Sequence, residues 1–419
     1  MSSIDTDIII VGAGISGLSC ARHLNSAGMK CLILESGHRV GGRIISDHVD
    51  GFILDRGFQV LQTAYPEVRR QLNLDELDLQ PFGPGVAVRL DGRMVLISDP
   101  VRNPSNIWST LTAPIGTFSD RLKMLRLFAE NRFKGSNRIF ETPDMSTIDF
   151  LREYHFSEQI IERFFRPFFA GACLDPDINA SSRVFRYLFN VFASGDAALP
   201  SKGMGDIPAR LAHDIPPDQI HLNTRVESID EHSVTLSSGQ RINARAIVIA
   251  TQGPETERLL NIRSHSSSRG EHCLYFSSET PPINKPFLIL NGEARGIVNN
   301  VAVPTLNAPS YSSSGRHLIA VVVLGQLSMD PPSLEKQVRK ELTGWFGEHV
   351  KGWAHVQTYH IPHALPDQSP PISSPMKGFN KIRDGLYTCG EYKSVPGIQW
   401  ALLSGRRCAE QVEKDHQKF

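Results

Sequence analysis

Apolar and mixed stretches alternate along the first part of the chain. Ile8-Ile9-Ile10-Val11 is a run of β-branched residues and predicts a buried strand. Residues with a helical pattern follow from Ser16 to Ala27, and Gly28 is placed to end that helix. Cys31-Leu32-Ile33-Leu34 is a second apolar run of strand length. The pattern predicts a β-α-β unit at the start of the fold.

After an irregular, glycine-rich stretch and a hairpin-like one around 52–57, the chain from about residue 82 to residue 199 is predicted to be mainly helical. Apolar residues recur at helical spacing behind Ser119, which we expect to be an N-cap. Ser146 and Asp149 resemble a capping box in front of another apolar run. Two further helices are expected over Glu158–Phe165 and Ser182–Phe192, the second rich in aromatic residues.

Short apolar runs predict strands in the second half of the chain. An antiparallel excursion that returns to a buried strand is expected over 225–250, and a β-containing lobe over 286–324. The polar, serine-rich stretches 262–272 and 305–316 are expected to be exposed loops of that lobe. A strand, a loop and a helix are predicted over 386–412.

Composition and charge restrict the classes of function. The 419 residues suffice for about two or three domains. Lys plus Arg equals Asp plus Glu at 44 each, so charge gives no argument for a nucleic-acid partner. The six cysteines lack metal-ligand spacing, so neither a metal nor a disulfide is expected. No apolar run approaches a membrane span, and the first residues lack a secretory pattern. We therefore expect a cytoplasmic protein, and leave peripheral membrane contact open.

Candidate chemistry begins in the glycine-rich turn after the first predicted strand. Gly12-Ala13-Gly14-Ile15-Ser16-Gly17 carries three glycines at the spacing of a dinucleotide fingerprint and opens the first helix. Glycine suits a tight turn, a close approach to pyrophosphate and close helix–strand packing, and the N–H groups at the helix start face the phosphates. Glu35 ends the second strand, where a carboxylate accepts hydrogen bonds from a ribose diol and repels a 2′-phosphate. This pattern predicts a dinucleotide site and argues against NADP.

Two distant segments carry a more specific resemblance. Glu35-Ser36-Gly37-His38-Arg39-Val40-Gly41-Gly42-Arg43, with Gly57 and Gln59 after it, forms the first. Tyr387-Thr388-Cys389-Gly390-Glu391, followed by residues 396–407, forms the second. Together they resemble the signatures of the flavin-containing amine oxidase and phytoene desaturase superfamily of FAD-dependent oxidoreductases, which includes protoporphyrinogen oxidase-like members.

The resemblance implies a bound FAD, held without a covalent bond because no cysteine lies in the loop expected for attachment. It implies a guanidinium near the pyrophosphate and a helix start at the pyrimidine edge of the flavin, which is negatively charged when reduced. The implied cofactor-binding residues are Gly12, Ala13, Gly14, Ile15, Ser16, Gly17, Glu35, Ser36, Gly41, Gly42, Arg43, Gly57, Phe58, Gln59, Val226, Thr251, Gly390, Glu391, Ile398 and Gln399.

The predicted fold class is α/β. We expect a Rossmann-like FAD-binding domain built from the discontinuous segments 1–81, 200–261 and 380–419. An α+β substrate domain, comprising a helical part at 82–199 and a β-containing part at 262–379, is expected as an insertion. We find no internal repeat, and the oligomeric state is not predicted.

The function implied by the resemblance is that of an FAD-dependent oxidoreductase transferring a hydride from a substrate C–H bond to flavin N5, amine oxidase-like, on a small molecule. Gly397 stands where amine oxidases often carry an aromatic residue that cages the amine. That glycine and the aromatic-rich stretch 164–192 leave open a desaturase or oxidase of an apolar conjugated substrate, carotenoid- or tetrapyrrole-like. A non-catalytic binding protein on the same scaffold is a third alternative.

No catalytic residue and no metal ligand is assigned from the sequence. Trp400, Tyr392 and Gln59 are candidates to lie near the isoalloxazine, with side-chain packing as the competing interpretation. His360 and His363 are candidates to reach a substrate cleft, although a loop histidine with no catalytic role is the commoner case.

Overall fold

A computed structural model describes residues 5–98, 112–262, 267–375, 381–391 and 395–416. Within these ranges the strands form two large sheets and two small ones. The strands are β1 (Thr6–Val11), β2 (Cys31–Leu34), β3 (Ser46–Val49), β4 (Phe52–Asp55), β5 (Leu61–Gln62), β6 (Leu79–Pro81), β7 (Gly85–Leu90), β8 (Arg93–Ser98), β9 (Ala197–Pro200), β10 (Ile220–His221), β11 (Val226–Ile229), β12 (Ser233–Leu236), β13 (Arg241–Ile249), β14 (Ser268–Ser278), β15 (Leu288–Asn291), β16 (Val298–Ala302), β17 (His317–Leu324), β18 (Ala354–Pro366), β19 (Lys381–Arg383) and β20 (Leu386–Thr388).

In the order of the chain, the α-helices of the described residues mostly alternate with groups of these strands. They are α1 (Ile15–Ser26), α2 (Pro66–Gln71), α3 (Phe118–Ile139), α4 (Thr147–Glu153), α5 (Glu158–Ile160), α6 (Arg166–Cys173), α7 (Ser182–Phe192), α8 (Asp206–His213), α9 (Gly253–Leu260), α10 (Pro304–Asn307), α11 (Pro331–Phe346) and α12 (Ile398–His416). A π-helical turn, Ile161–Phe165, joins α5 to α6.

The first large sheet is built around the predicted β-α-β unit. β1 lies between β2 and β13 and is parallel to both, and β20 pairs in parallel with the other edge of β13. Ile9 and Ile10 of β1 are fully buried, as expected for a parallel strand covered on both faces. The eight strands of this sheet come from three distant parts of the chain, 6–34, 220–249 and 381–388.

The second large sheet has the strand order β18-β14-β17-β16-β15-β7-β8. Side chains of β14 alternate between its two faces. Leu274 and Phe276 pack in a core with Leu334 of α11, whereas Cys273 and Tyr275 belong to the core that contains the first sheet. β14 therefore contributes to both cores. The predicted domain boundaries are not tested by this arrangement and stay a prediction.

The helical part follows the predicted pattern from α3 onwards, with one error at a helix start, whereas its beginning, residues 85–98, forms the paired strands β7 and β8. Ser182–Phe192 is α7, as predicted, and Ser146 is the N-cap of α4. Ser119, however, is not the N-cap of α3. Thr117 takes that position because its hydroxyl oxygen accepts from the backbone N–H of Asp120, whose side chain accepts from the N–H of Thr117.

The prediction of two exposed serine-rich loops was wrong in part. β14 begins at Ser268, and Glu271 and His272 are buried. In the second stretch Tyr311 is buried, and its hydroxyl donates to the carboxylate of Asp55 at 2.9 Å. Polar residues on both faces of a strand hide the alternation by which a strand is recognised.

Candidate functional site

A cavity of about 1300 Å³ is enclosed by both large sheets and by the helices that follow β8 in the chain. Strands β1, β2, β7, β14 and β18 contribute to its wall, as do α1, α3, α6 and α7. The predicted cofactor residues that line it are Gly12, Gly14, Ile15, Ser16, Glu35, Ser36, Gly41, Gly42, Arg43, Phe58, Gln59, Val226, Thr251, Gly390, Glu391 and Ile398. The structure thus brings residues from three remote segments to one cavity.

The three fingerprint glycines meet different surroundings. A Cβ at Gly17 would lie 2.1 Å from the carbonyl oxygen of Gly12, and a Cβ at Gly12, where φ is +106°, would lie 2.9 Å from that of Ala250. A Cβ at Gly14 would meet no protein atom within 4 Å, although Gly14 lines the cavity. Gly12 and Gly17 therefore serve internal packing, whereas the empty space beside Gly14 is open to a ligand.

Glu35 and the glycine pair Gly41-Gly42 both contact the glycine-rich turn at residues 12–14. The Glu35 carboxylate accepts from the backbone N–H groups of Ala13 and Gly37, each at 2.7 Å. The N–H of Gly41 donates to the carbonyl of Ala13 at 2.9 Å, and a Cβ at Gly42 would come within 3.3 Å of the Cα of Gly14. Ala13 does not line the cavity itself, but it connects these two segments.

A clasp formed by Arg43, Glu391 and Gly397 joins the two signature segments. The Arg43 guanidinium is paired with the Glu391 carboxylate and donates to the carbonyl of Ala364 at 2.6 Å. Glu391 also accepts from the backbone N–H of Gly397 at 2.5 Å, directly before α12. The clasp fixes the start of α12 at the cavity wall. The sequence placed both charged residues near the cofactor without predicting that they pair.

Three further predicted residues do not line the cavity. The Gln399 side chain accepts from the N–H of Glu67 at 2.8 Å and so satisfies the start of α2. Gly57 lies just behind the wall, and Gly17 lies in the α1 packing described above. Trp400 is buried against Phe140, with ring centroids 5.4 Å apart, so packing explains its position. Tyr392 lies outside the described residues.

An apolar chamber forms the part of the cavity that is remote from the fingerprint. It is contributed by α3, α6, α7 and the π-helical turn, and we define it by Phe164, Phe168, Phe169, Leu188, Phe189 and Phe192. The rings contact one another in edge-to-face, tilted and stacked pairs; Phe168 and Phe192 meet edge to face with their centroids 5.1 Å apart. The predicted aromatic-rich stretch therefore faces the cavity and packs against itself as well.

Glu271 is a cavity residue that the sequence analysis missed. Its side chain is 6% exposed and lines the cavity beside the turn at Gly57, where an added Cβ would lie 2.4 Å from its Oε1 atom. Burial raises the pKa of its carboxyl group to about 7. Glu271 shares a face with Cys273 and Tyr275, and this two-residue period was the signal available in the sequence.

The two candidate histidines have different positions. His363 lines the cavity, and its Nδ1 atom is 2.5 Å from the hydroxyl oxygen of Ser268. His360 does not line it and stacks on His272, with ring centroids 4.5 Å apart. Of the two predicted candidates, only His363 can contact a ligand in the cavity.

The described residues contain neither a cluster of metal ligands nor a helix suited to cross a membrane. No group of three or more His, Cys, Asp or Glu side chains is arranged to hold a metal ion. None of the helices in the described ranges has both the length and the apolar character needed to cross a bilayer.

Comparisons with known proteins point to one family. The sequence profile described as flavin containing amine oxidoreductase matches residues 15–413. The chain is 22% identical to 15-cis-phytoene desaturase of an Oncidium hybrid cultivar over 476 residues, which cover 99% of this chain and 78% of that protein. It is 28% identical to protoporphyrinogen oxidase 2 of Arabidopsis thaliana over 185 residues, 44% of this chain and only 36% of that protein.

A solved structure supports the fold class. A double mutant of putrescine oxidase superposes with a TM-score of 0.74 at 17% identity, over 98% of this chain and 99% of that one. This likeness confirms the predicted α/β architecture. The family profile spans nearly the whole chain and both signature segments. The chain belongs to the flavin-containing amine oxidoreductase family and is an oxidoreductase with a flavin cofactor.

Proposed function

We propose that the chain is an FAD-dependent oxidoreductase that transfers a hydride from a C–H bond of a small, largely apolar molecule to flavin N5. The observation that carries the proposal is the single cavity, which joins the dinucleotide turn and the clasp to the apolar chamber. When bound, the flavin supplies the redox chemistry, and the protein supplies orientation and exclusion of water.

The cavity suits FAD in particular. One part of the wall is formed by the fingerprint, Glu35 and Val226, and an adenosine diphosphate fits there. Another part is formed by the start of α12, whose N–H groups would face the negatively charged edge of a reduced flavin. The open space at Gly14 is the cradle that a pyrophosphate needs. All six cysteines are buried, and none lines the cavity, so we propose that the cofactor is held without a covalent bond.

The apolar chamber favours a substrate with a sizeable apolar body. Binding of such a molecule in a cavity lined by aromatic side chains is favoured because apolar surface is removed from water. Both candidate reactions, oxidation of a bulky amine and desaturation of a conjugated hydrocarbon or tetrapyrrole-like molecule, are compatible with this chamber. Relatives named for each reaction, putrescine oxidase and phytoene desaturase, are among the similar proteins.

Product analysis distinguishes the two reactions. The FAD-loaded protein is incubated with bulky amines and with polyenes, in air and under nitrogen with a quinone. Amine oxidation predicts peroxide in air and an aldehyde or ketone product, whereas desaturation predicts longer conjugation with the quinone. The proposal as a whole predicts a flavin absorption band in the purified or reconstituted protein, and a protein that never binds FAD would contradict it.

We further propose that α3 makes peripheral contact with an anionic membrane surface. Phe118, Leu122, Leu125 and Phe133 form one stripe on α3, which we call the α3 stripe, and all four are more than half exposed. The opposite face of the helix is buried. An exposed apolar stripe of this kind is typical of an interfacial helix.

Charge and position support this contact. On the described part of α3 the basic side chains outnumber the two acidic ones, and three of them, Arg121, Arg126 and Arg132, lie next to the α3 stripe at helical spacing. Leu125 belongs to the stripe and also lines the cavity. An apolar substrate dissolved in a membrane would therefore reach the apolar chamber without crossing water. The cytoplasmic location stays a prediction.

A further inference from the structure

Glu271 is a buried carboxyl group without a partner at the wall of the cofactor cavity. Its side chain takes part in none of the hydrogen bonds or ion pairs of the described residues, and burial alone accounts for its raised pKa. A buried charge without a partner is costly, so such groups are uncommon in structural roles. The carboxyl group is accordingly available to a ligand in the cavity.

The surroundings of Glu271 place it beside the predicted flavin region. The carboxylate packs on the Gly57 turn, and the next two residues of that turn, Phe58 and Gln59, line the cavity. Glu271 also pairs across the sheet with Ile361 of β18. Three residues further along β18, the carbonyl of Ala364 holds the guanidinium of the clasp. The carboxyl group thus contacts the Gly57 turn, and the strand paired with β14 leads on to the clasp.

The charged and titratable groups around Glu271 are engaged elsewhere. Arg56 is paired with Asp47, Arg43 with Glu391, and the ring of His363 with the hydroxyl of Ser268. On β17, the residue opposite Glu271 is the apolar Leu324. The remaining titratable neighbours, which also make no hydrogen bond to the Glu271 carboxyl group, are Asp55, Cys273, Tyr275, His272 and His360.

We propose that Glu271 is the proton acceptor of this site and takes up the proton that leaves the substrate as its C–H bond is oxidised. The inference rests on the function proposed above. The hydride leaves the substrate carbon for the flavin with both bonding electrons. The proton on the adjacent atom passes to the Glu271 carboxylate, and its bonding pair forms the new double bond. A two-electron acceptor, dioxygen or a quinone, later receives the hydride equivalent and this proton and becomes peroxide or quinol.

Reduction of the cofactor favours the protonated form of Glu271. Hydride reduction adds a negative charge to the flavin, and a negative charge nearby raises the pKa of a carboxyl group. The carboxyl group, whose pKa burial raises to about 7, therefore binds a proton when the flavin is reduced above that pH. Flavin reduction and Glu271 protonation are coupled, and the coupling can be measured without knowing the substrate.

The test measures the potential of the bound flavin against pH, from about pH 5 to about pH 9, with the FAD-loaded protein. Hydride reduction accounts for one proton per two electrons. The wild-type slope should steepen above about pH 7 by a second proton. Glu271→Gln should lose this added proton, and Glu271→Asp, which keeps a carboxyl group, should retain it. The matched control is Glu341→Gln, which alters a half-buried glutamate with a raised pKa outside the cavity and should behave as wild type.

A second measurement needs only the wild-type protein, so it stands even if Glu271→Gln fails to fold. At about pH 8 the infrared difference spectrum on flavin reduction should gain the C=O stretch of a protonated carboxylic acid. Equal slopes for wild type and Glu271→Gln, or no gain of that band in wild type, would overturn the inference while leaving the proposed function intact. Failure to bind FAD at all would instead remove the proposed function.

Discussion

Gly14 and Gly17 lie three residues apart in one turn, yet the structure gives them opposite roles. An added Cβ at Gly17 would meet a carbonyl oxygen at 2.1 Å, whereas at Gly14 it would meet no protein atom within 4 Å. The backbone at Gly14 has φ −73°, which any residue adopts. Only the cofactor, if it lies where we propose, occupies the space beside Gly14.

This difference predicts opposite outcomes for two alanine substitutions. Gly14→Ala should leave the melting temperature of the apoprotein unchanged and weaken FAD binding by about 10- to 100-fold, the effect of a clash of ~1–3 kcal/mol. Gly17→Ala should instead lower the free energy of unfolding of the apoprotein by a similar ~1–3 kcal/mol. Thermal unfolding and FAD titration of both variants check the prediction. Normal FAD affinity in Gly14→Ala would show that the cofactor does not approach this residue.

The raised pKa of Glu271 also predicts that the stability of the folded protein depends on pH. Its pKa is about 7 in the folded protein and ~4.3 in an unfolded chain, so between these values the native state binds more protons. The stabilisation is fully present below about pH 4 and is lost as the pH rises through 7, by at most about 4 kcal/mol. Urea unfolding of the apoprotein at about pH 5 and about pH 8 should show a larger loss for wild type than for Glu271→Gln. An equal loss in both proteins would contradict the assignment.

At the scale of elements, α3 is a helix whose solvent face is apolar. Its buried face includes Leu127, and the α3 stripe lies on the other side. Packing against the rest of the protein therefore explains why the buried face of α3 is apolar, but it does not explain the apolar residues of the exposed α3 stripe. A flanking set of basic side chains adds attraction to an anionic surface, at about 1 kcal/mol per charge close to the membrane.

We expect Leu122→Ser together with Phe133→Ser to weaken binding to vesicles that contain anionic lipid by about 10-fold or more. Neither residue lines the cavity, so FAD content should not change. The matched control changes two exposed isoleucines outside α3, Ile262→Ser with Ile382→Ser, and should bind as wild type does. Vesicle co-sedimentation measures both. Equal binding by the two double variants would exclude the α3 stripe as the contact.

Elements were predictable where one physical pattern dominates. β2 and α7 match their predicted bounds because a continuous apolar run and a strong helical periodicity leave no competing assignment. The prediction of Ser119 as an N-cap was wrong because local hydrogen bonds decide which residue caps a helix. The nearby Thr117 forms a complete capping box with Asp120. β14 was missed, and its first residues were assigned to an exposed loop, because the polar Glu271 faces a cavity rather than a core.

At the scale of the whole molecule, the site depends on contacts that sequence spacing does not encode. Arg43 and Glu391 are 348 positions apart, and each was assigned to the cofactor because of a separate motif. Their pairing follows from the order of strands, which brings β20 beside β13 and β13 beside β1. The resemblance identified segments that line the cavity. It gave no information on the interior acid Glu271, which lies on a strand of the second sheet.

This arrangement predicts how FAD binding should change hydrogen exchange across the molecule. Because the proposed contacts come from the fingerprint turn, the β11 start at Val226 and the start of α12, FAD should slow amide exchange in all three segments together. α11 packs against the second sheet in a core separate from the first sheet, and it does not line the cavity, so it serves as an internal control with little change. Mass spectrometry of peptides from the apoprotein and the FAD-loaded protein makes the comparison. Protection limited to the fingerprint turn would mean that the bound nucleotide does not extend to α12, and the cavity would then hold a smaller ligand than FAD.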